Sequence, residues 1–195
     1  MAILSGILAV SRNRRTRAGT LGAILLACTV TMLAGAEAEA SEYQIKAAFL
    51  YNFAKFVEWP PETFKDATTP IHICVLGSSP VRWMLEDTVR NKNVDGRLLT
   101  VREFANVNLA GDCQILFVSA SEQKHLRAIL EATKSSDVLT VGETDNFAAD
   151  GGVVGFTLDH GRIRFDINLQ AAQMQRLQIS SKLLSLATNV RRAAK

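Results

Sequence analysis

The chain has 195 residues, 48% of them hydrophobic, with 22 basic and 19 acidic side chains and a formal net charge of +3. That near balance excludes an ordinary nucleic-acid binder, which needs a basic stripe or face. No internal repeat or low-complexity tract divides the chain, so one compact domain is expected.

Residues 1–40 read as a signal peptide. Arg12, Arg14, Arg15 and Arg17 form a positive segment, and Leu21 to Leu33 follow as 13 residues without a charge. Ala34-Gly35-Ala36 and Ala38-Glu39-Ala40 are both small-x-small cleavage patterns. A spanning helix wants about 20 apolar residues, and this run is too short. Leu25-Leu26-Ala27-Cys28 loosely resembles a lipobox, but a lipobox cysteine ends its apolar run and this run continues to Leu33. Cleaved export to the periplasm is therefore favoured over a lipoprotein anchored at Cys28. Cleavage removes four arginines and two glutamates and leaves 18 basic and 17 acidic residues, a net charge of +1. Residues 41–195 suffice for one domain with a sizeable core.

The mature part opens on a helix, with Ile45, Phe49, Phe53, Phe56 and Val57 at the 3.6-residue period. Ala47, Leu50, Tyr51 and Ala54 widen its apolar arc, and Trp59-Pro60-Pro61 ends it. Ile71 to Leu76 is a short apolar run rich in β-branched residues, a buried strand. Gly77-Ser-Ser-Pro80 turns into a helix reaching Val89, with Ser79 as N-cap and Pro80 in the first turn. Strands are expected at Arg97 to Phe104, Gln114 to Val118 and Val138 to Val141. Ser119 and Glu122 form a capping box for a helix to about Thr133. Val153–Leu158 and Arg162–Asn168 make a hairpin around Asp159-His160-Gly161. A last helix is expected from about Leu169 to Asn189. Strands alternating with helices imply a single α/β domain: a mostly parallel sheet, a late antiparallel hairpin and helices on both faces. Ligands of such sheets gather at the carboxyl ends of the strands.

Few residues carry chemistry by themselves. After export Cys74 and Cys113 remain, and two cysteines in an exported chain point to one disulfide. The alternative is a pair of buried thiols. Ser121-Glu-Gln-Lys124 matches an SxxK pattern, but no KTG follows and Ser121 sits where a helix cap belongs. His72, His125 and His160 show no ligand spacing, so neither a metal nor any other cofactor is expected. Two candidate surfaces stand out. The first is Leu50, Tyr51 and Trp59 on the second arc of the opening helix, as a partner or dimer surface. The second is the loop holding Gly142, Glu143, Asp145, Phe147, Gly151 and Gly152 at the strand ends, for a ligand or partner.

Two stretches carry a resemblance. One runs from Tyr43 to Pro60 (YQIKAAFLYNFAKFVEWP). The other combines Val138-Leu-Thr-Val-Gly-Glu143, Phe147, Gly151-Gly152, Ile163-Arg-Phe-Asp-Ile-Asn168 and Leu177 to Ala187. Their order resembles the YfiR family of exported bacterial proteins over roughly residues 42–190. The resemblance implies a non-enzymatic periplasmic regulator. Its expected partner is the periplasmic domain of an inner-membrane diguanylate cyclase, or of a sensor kinase, held in its inactive state. A homodimer is also open. The rival expectation is a periplasmic small-molecule binding protein serving a sensor kinase, with its pocket at the strand-end loops.

Overall fold

The computed structural model describes residues 40–104 and 112–192. The expected signal peptide and Cys28 lie outside the described residues. Helix α1 covers 40–56. The chain leaves it through β1 (Val57–Glu58) and a 3₁₀ turn at Pro61–Thr63. Then come β2 (Ile71–Leu76), α2 (Val81–Val89), β3 (Asn93–Val94), β4 (Arg97–Phe104) and β5 (Ile115–Val118). A 3₁₀ stretch at Ala120–His125 leads into α3 (Leu126–Thr133), followed by β6 (Leu139–Gly142). The hairpin is β7 (Val154–Asp159) and β8 (Arg162–Asn168). The chain closes with α4 (Leu169–Met174), β9 (Gln178–Ile179), α5 (Ser181–Leu184) and β10 (Val190–Arg191).

One eight-stranded sheet has the order β10-β8-β7-β6-β5-β2-β4-β3. The ladders from β4 through β2, β5 and β6 to β7 are all parallel, whereas β7–β8 is antiparallel. The mostly parallel α/β sheet with a late hairpin is as the alternating pattern predicts. His160 and Gly161, both at positive φ (47° and 73°), form the two-residue turn that suits the strands' twist. The short β3, antiparallel to β4, and β10, parallel to β8, are additions that the pattern does not reveal.

Alternation along the strands sorts the core into two clusters. Ile71, Ile73 and Val75 of β2 and Ile115 and Phe117 of β5 face α1, α2, α4 and α5. Cys74, Leu76, Leu116 and Val118 face α3 on the other side. The first cluster contains an aromatic knot. Phe53 lies 5.3 Å from Phe165 and 6.0 Å from Phe156, and Phe49 lies 5.3 Å from Phe165. Such edge and offset contacts add about 0.5–1.5 kcal/mol per pair beyond area burial.

Three expectations are corrected. The last helix is not continuous, because Arg176 adopts a left-handed conformation (φ 54°) after α4. Its guanidinium is clamped by Asp137 and Glu62, and Gln178–Ile179 then pair antiparallel with Glu58–Val57. These tertiary bonds outweigh a weak local helical preference. The capping box also does not form. Ser119 Oγ accepts from the Ser121 N–H, Glu122 turns to His125, and the element begins as 3₁₀. Along α1 the buried stripe is Lys46, Ala47, Leu50, Phe53 and Ala54, whereas Ile45 is 42% exposed. Leu50 is wholly buried in the first cluster, so it belongs to the core and not to a partner surface.

Candidate functional site

Strands β2, β5 and β6 end in register, with Leu76 beside Val118 and Val118 beside Gly142. The loops that follow them therefore meet at one edge, where open parallel sheets place their ligands. Hydroxyls stitch the first two loops together. Ser119 Oγ donates to the Ser78 carbonyl at 2.7 Å, and Ser121 Oγ accepts from the Ser78 N–H at 3.1 Å. The serine of the SxxK pattern is thus held as a loop staple.

The third loop is tied to α1 by a buried ion pair. Glu143 accepts from Lys46 Nζ at 2.7 Å through one carboxylate oxygen and from the Ala120 N–H at 3.0 Å through the other. Lys46 is only 4% exposed, sits 2.6 Å from Glu42, and places its ammonium 4.6 Å from the centre of the Tyr43 ring. Burial alone would lower its pKa. Hydrogen bonds to Glu143 and Glu42, together with their charges, outweigh burial and hold the ammonium above its ordinary range. A desolvated charge is tolerated only with such partners. Sequence reasoning singled out Glu143 but missed Lys46. The available signal was its position on the apolar stripe of α1, four and seven residues before Leu50 and Phe53.

Behind the edge, the Phe147 ring is almost fully buried between two glycines. A Cβ on Gly142 would lie 2.1 Å from that ring and one on Gly152 would lie 2.0 Å from it. Both glycines are needed for close approach to the ring, and of the neighbouring Gly151 and Gly152 only Gly151 has a positive φ (115°). Phe147, Gly142 and Gly152 are buried scaffold and offer no contact surface. Asp145 and Gly151 instead line a surface cleft of about 660 Å³ between α3 and the 144–151 loop. Leu126, Leu130 and Met174 supply its apolar wall, and Arg127 and Asp150 carry charges there. The buried Thr144 Oγ1, on the same wall, has no hydrogen-bond partner among the described residues.

Cys74 and Cys113 form a disulfide, with Cα atoms 6.0 Å apart, that joins β2 to the residues before β5. At the opposite, amino edge of the sheet, the half-buried Trp59 donates its Nε1–H to the Gln114 carbonyl at 3.1 Å. Tyr51 is half-buried against the first cluster. The three predicted surface residues of α1 and its exit are therefore not brought together on one face. His72 lies with Nε2 3.1 Å from Arg102 and Nδ1 2.5 Å from Thr100. Burial and the Arg102 charge push its pKa down, which favours the neutral ring. Among the described residues no group of three or more His, Cys, Asp or Glu side chains could hold a metal ion. Among them, too, no helix is long and apolar enough to cross a membrane.

Fold and edge together define a single α/β domain with a disulfide-tied, mostly parallel sheet. Over residues 43–188 the chain matches the family described as YfiR/HmsC-like, and it belongs to that family. No curated protein matches it. Two solved structures align with part of it at 12% identity. One is the ABC domain from Streptococcus pneumonia in complex with L-Trp, with a TM-score of 0.45 over 62% of this chain and 55% of that one. The other is a conserved domain protein from Vibrio cholerae, with a TM-score of 0.49 over 62% and 54%. The chain thus spans about half the length of each of these two.

Proposed function

We propose that this protein is an exported regulator that acts by binding, without chemistry of its own. It binds the periplasmic sensor domain of an inner-membrane signalling protein, a diguanylate cyclase, and favours the inactive state. Release then raises cyclic di-GMP on the far side of the membrane and with it biofilm formation. Inhibition of this kind requires a higher affinity for one of the partner's two states. The observation that carries the reading is the YfiR/HmsC-like match over nearly the whole mature chain. The disulfide agrees with an oxidising compartment. The hydroxyls of Ser119 and Ser121 and the carboxylate of Glu143 are spent on neighbouring groups, which suits a rigid binding scaffold.

Affinity capture of the exported chain from cross-linked, detergent-solubilised envelope tests this. Recovery of a membrane protein with a cyclase output domain is the expected result. Recovery of no membrane protein, under oxidising and reducing conditions alike, would remove the reading. The cleft of about 660 Å³ with its orphaned Thr144 hydroxyl favours one rival, a solute-binding protein that serves a sensor kinase. A rise in melting temperature with a small solute, in the absence of any membrane partner, would support that rival.

A further inference from the structure

Three lysines from three separate segments converge on two aromatic rings. Lys92, between α2 and β3, lies 4.5 Å from the centre of the Tyr51 ring. Lys55 lies 5.5 Å from Tyr51 and 5.9 Å from Phe56, and Lys182 of α5 lies 5.1 Å from Phe56. The order Lys92–Tyr51–Lys55–Phe56–Lys182 makes a continuous stripe across α1 and its two neighbours.

The charges on this stripe are uncompensated. Among the described residues none of the three lysines has a carboxylate within ion-pair distance. Among the described residues Lys65, Lys124, Arg127 and Arg162 also lack an ion-pair partner, so what sets the stripe apart is the convergence of three such cations on two neighbouring rings. The mature chain carries a net charge of only +1, so the three lysines are not part of a general positive excess of the chain. All three lysines are exposed, while Tyr51 and Phe56 are half-buried and packed against the core. The rings hold the ammonium groups in place by cation–π attraction and leave their outer hydrogens for a ligand.

We propose that this stripe is the docking face for an acidic segment of a protein partner, the partner of the regulator reading, on which this inference rests. Its carboxylates bridge the three ammonium groups, and its chain lies flat over the two rings. Fixed cations around half-buried aromatic faces are the composition of an interface core with a charged rim. An anionic lipid surface fits less well. It calls for protruding apolar anchors, and both rings of the stripe are half-buried and packed against the core.

The probes are fluorescein-labelled octaglutamate and phosphatidylglycerol vesicles, each offered to the exported chain at low ionic strength. The wild type should bind octaglutamate with an affinity that falls as salt rises. K55Q/K92Q/K182Q should bind at least tenfold more weakly at an unchanged melting temperature, and K55R/K92R/K182R should retain binding. Equal binding by wild type and the glutamine variant would overturn the proposal, as would wild-type binding to the vesicles but not to the peptide. Envelope capture separates this inference from the reading beneath it. A membrane signalling protein recovered by wild type but lost with the glutamine variant supports both. Equal recovery by the two overturns the stripe and leaves the regulator reading standing. Recovery by neither, with octaglutamate bound only by the wild type, keeps the stripe and removes the regulator reading.

Discussion

The two faces of the sheet are held by different means. On one, α1, α2, α4 and α5 reach strands from β4 to β8 and enclose the knot of Phe49, Phe53, Phe156 and Phe165. On the other, α3 and the 144–151 loop contribute a far smaller cluster, which contains the Cys74–Cys113 bridge and Phe147 wedged between glycines. A broad apolar face is stable through burial alone. A narrow one gains its order from a covalent link and from close contacts that leave no spare volume. The candidate cleft lies on the narrow face and the lysine stripe on the broad one.

Substitutions on each face sharpen that contrast. The largest loss is expected from Phe53→Ala on the broad face. Roughly 4–5 kcal/mol should disappear in urea unfolding, because the cavity also strips ring contacts from Phe156 and Phe165. Next comes Cys74→Ala/Cys113→Ala on the narrow face. Releasing a loop of 39 residues' separation should cost about 3–4 kcal/mol on the chain-entropy model.

The Lys46–Glu143 pair ties α1 of the broad face to the strand-end loop. Glu143→Gln leaves a buried ammonium with Glu42 as its remaining carboxylate, so the loss should be about 2–3 kcal/mol, below that of a fully orphaned charge. The pair also sets a pH dependence. Because the folded pKa of Lys46 is raised above its ordinary 10.5, its stabilisation is fully present below that pH and is lost as pH rises through the raised value. The stability difference between wild type and Glu143→Gln should therefore narrow in strongly alkaline buffer, which thermal melts across pH would read. The smallest effect, about 1–2 kcal/mol, is expected for Gly152→Ala, where the new methyl meets the Phe147 ring. Adding Phe147→Leu should recover part of it, and a failure to recover any would show that the strain lies in the backbone.

How much of this was legible in sequence depended on how local the cause is. The strand at Ile71 announced itself by its β-branched run, and the hairpin by its His160-Gly161 turn. The C-terminal segment misled, because the spacing of Leu177, Leu183, Leu184 and Ala187 suits a helix. What breaks that helix is the pairing of Gln178–Ile179 with β1 and the grip of Asp137 on Arg176, contacts made far away in the chain. The carboxyl edge was readable as a place but not as a circuit. Lys46 and Glu143 stand 97 residues apart, and only the fold makes them partners. The glycines around Phe147 looked like turn residues, because close packing against a ring leaves no local mark.

The contrast between the faces is tested most directly by hydrogen exchange of the oxidised and reduced chain, followed peptide by peptide. The account predicts that reduction speeds exchange in α3 and residues 138–152, while α1, β7 and β8 stay protected. Loss of protection in α1 and the hairpin to the same degree, or no change in α3, would contradict it.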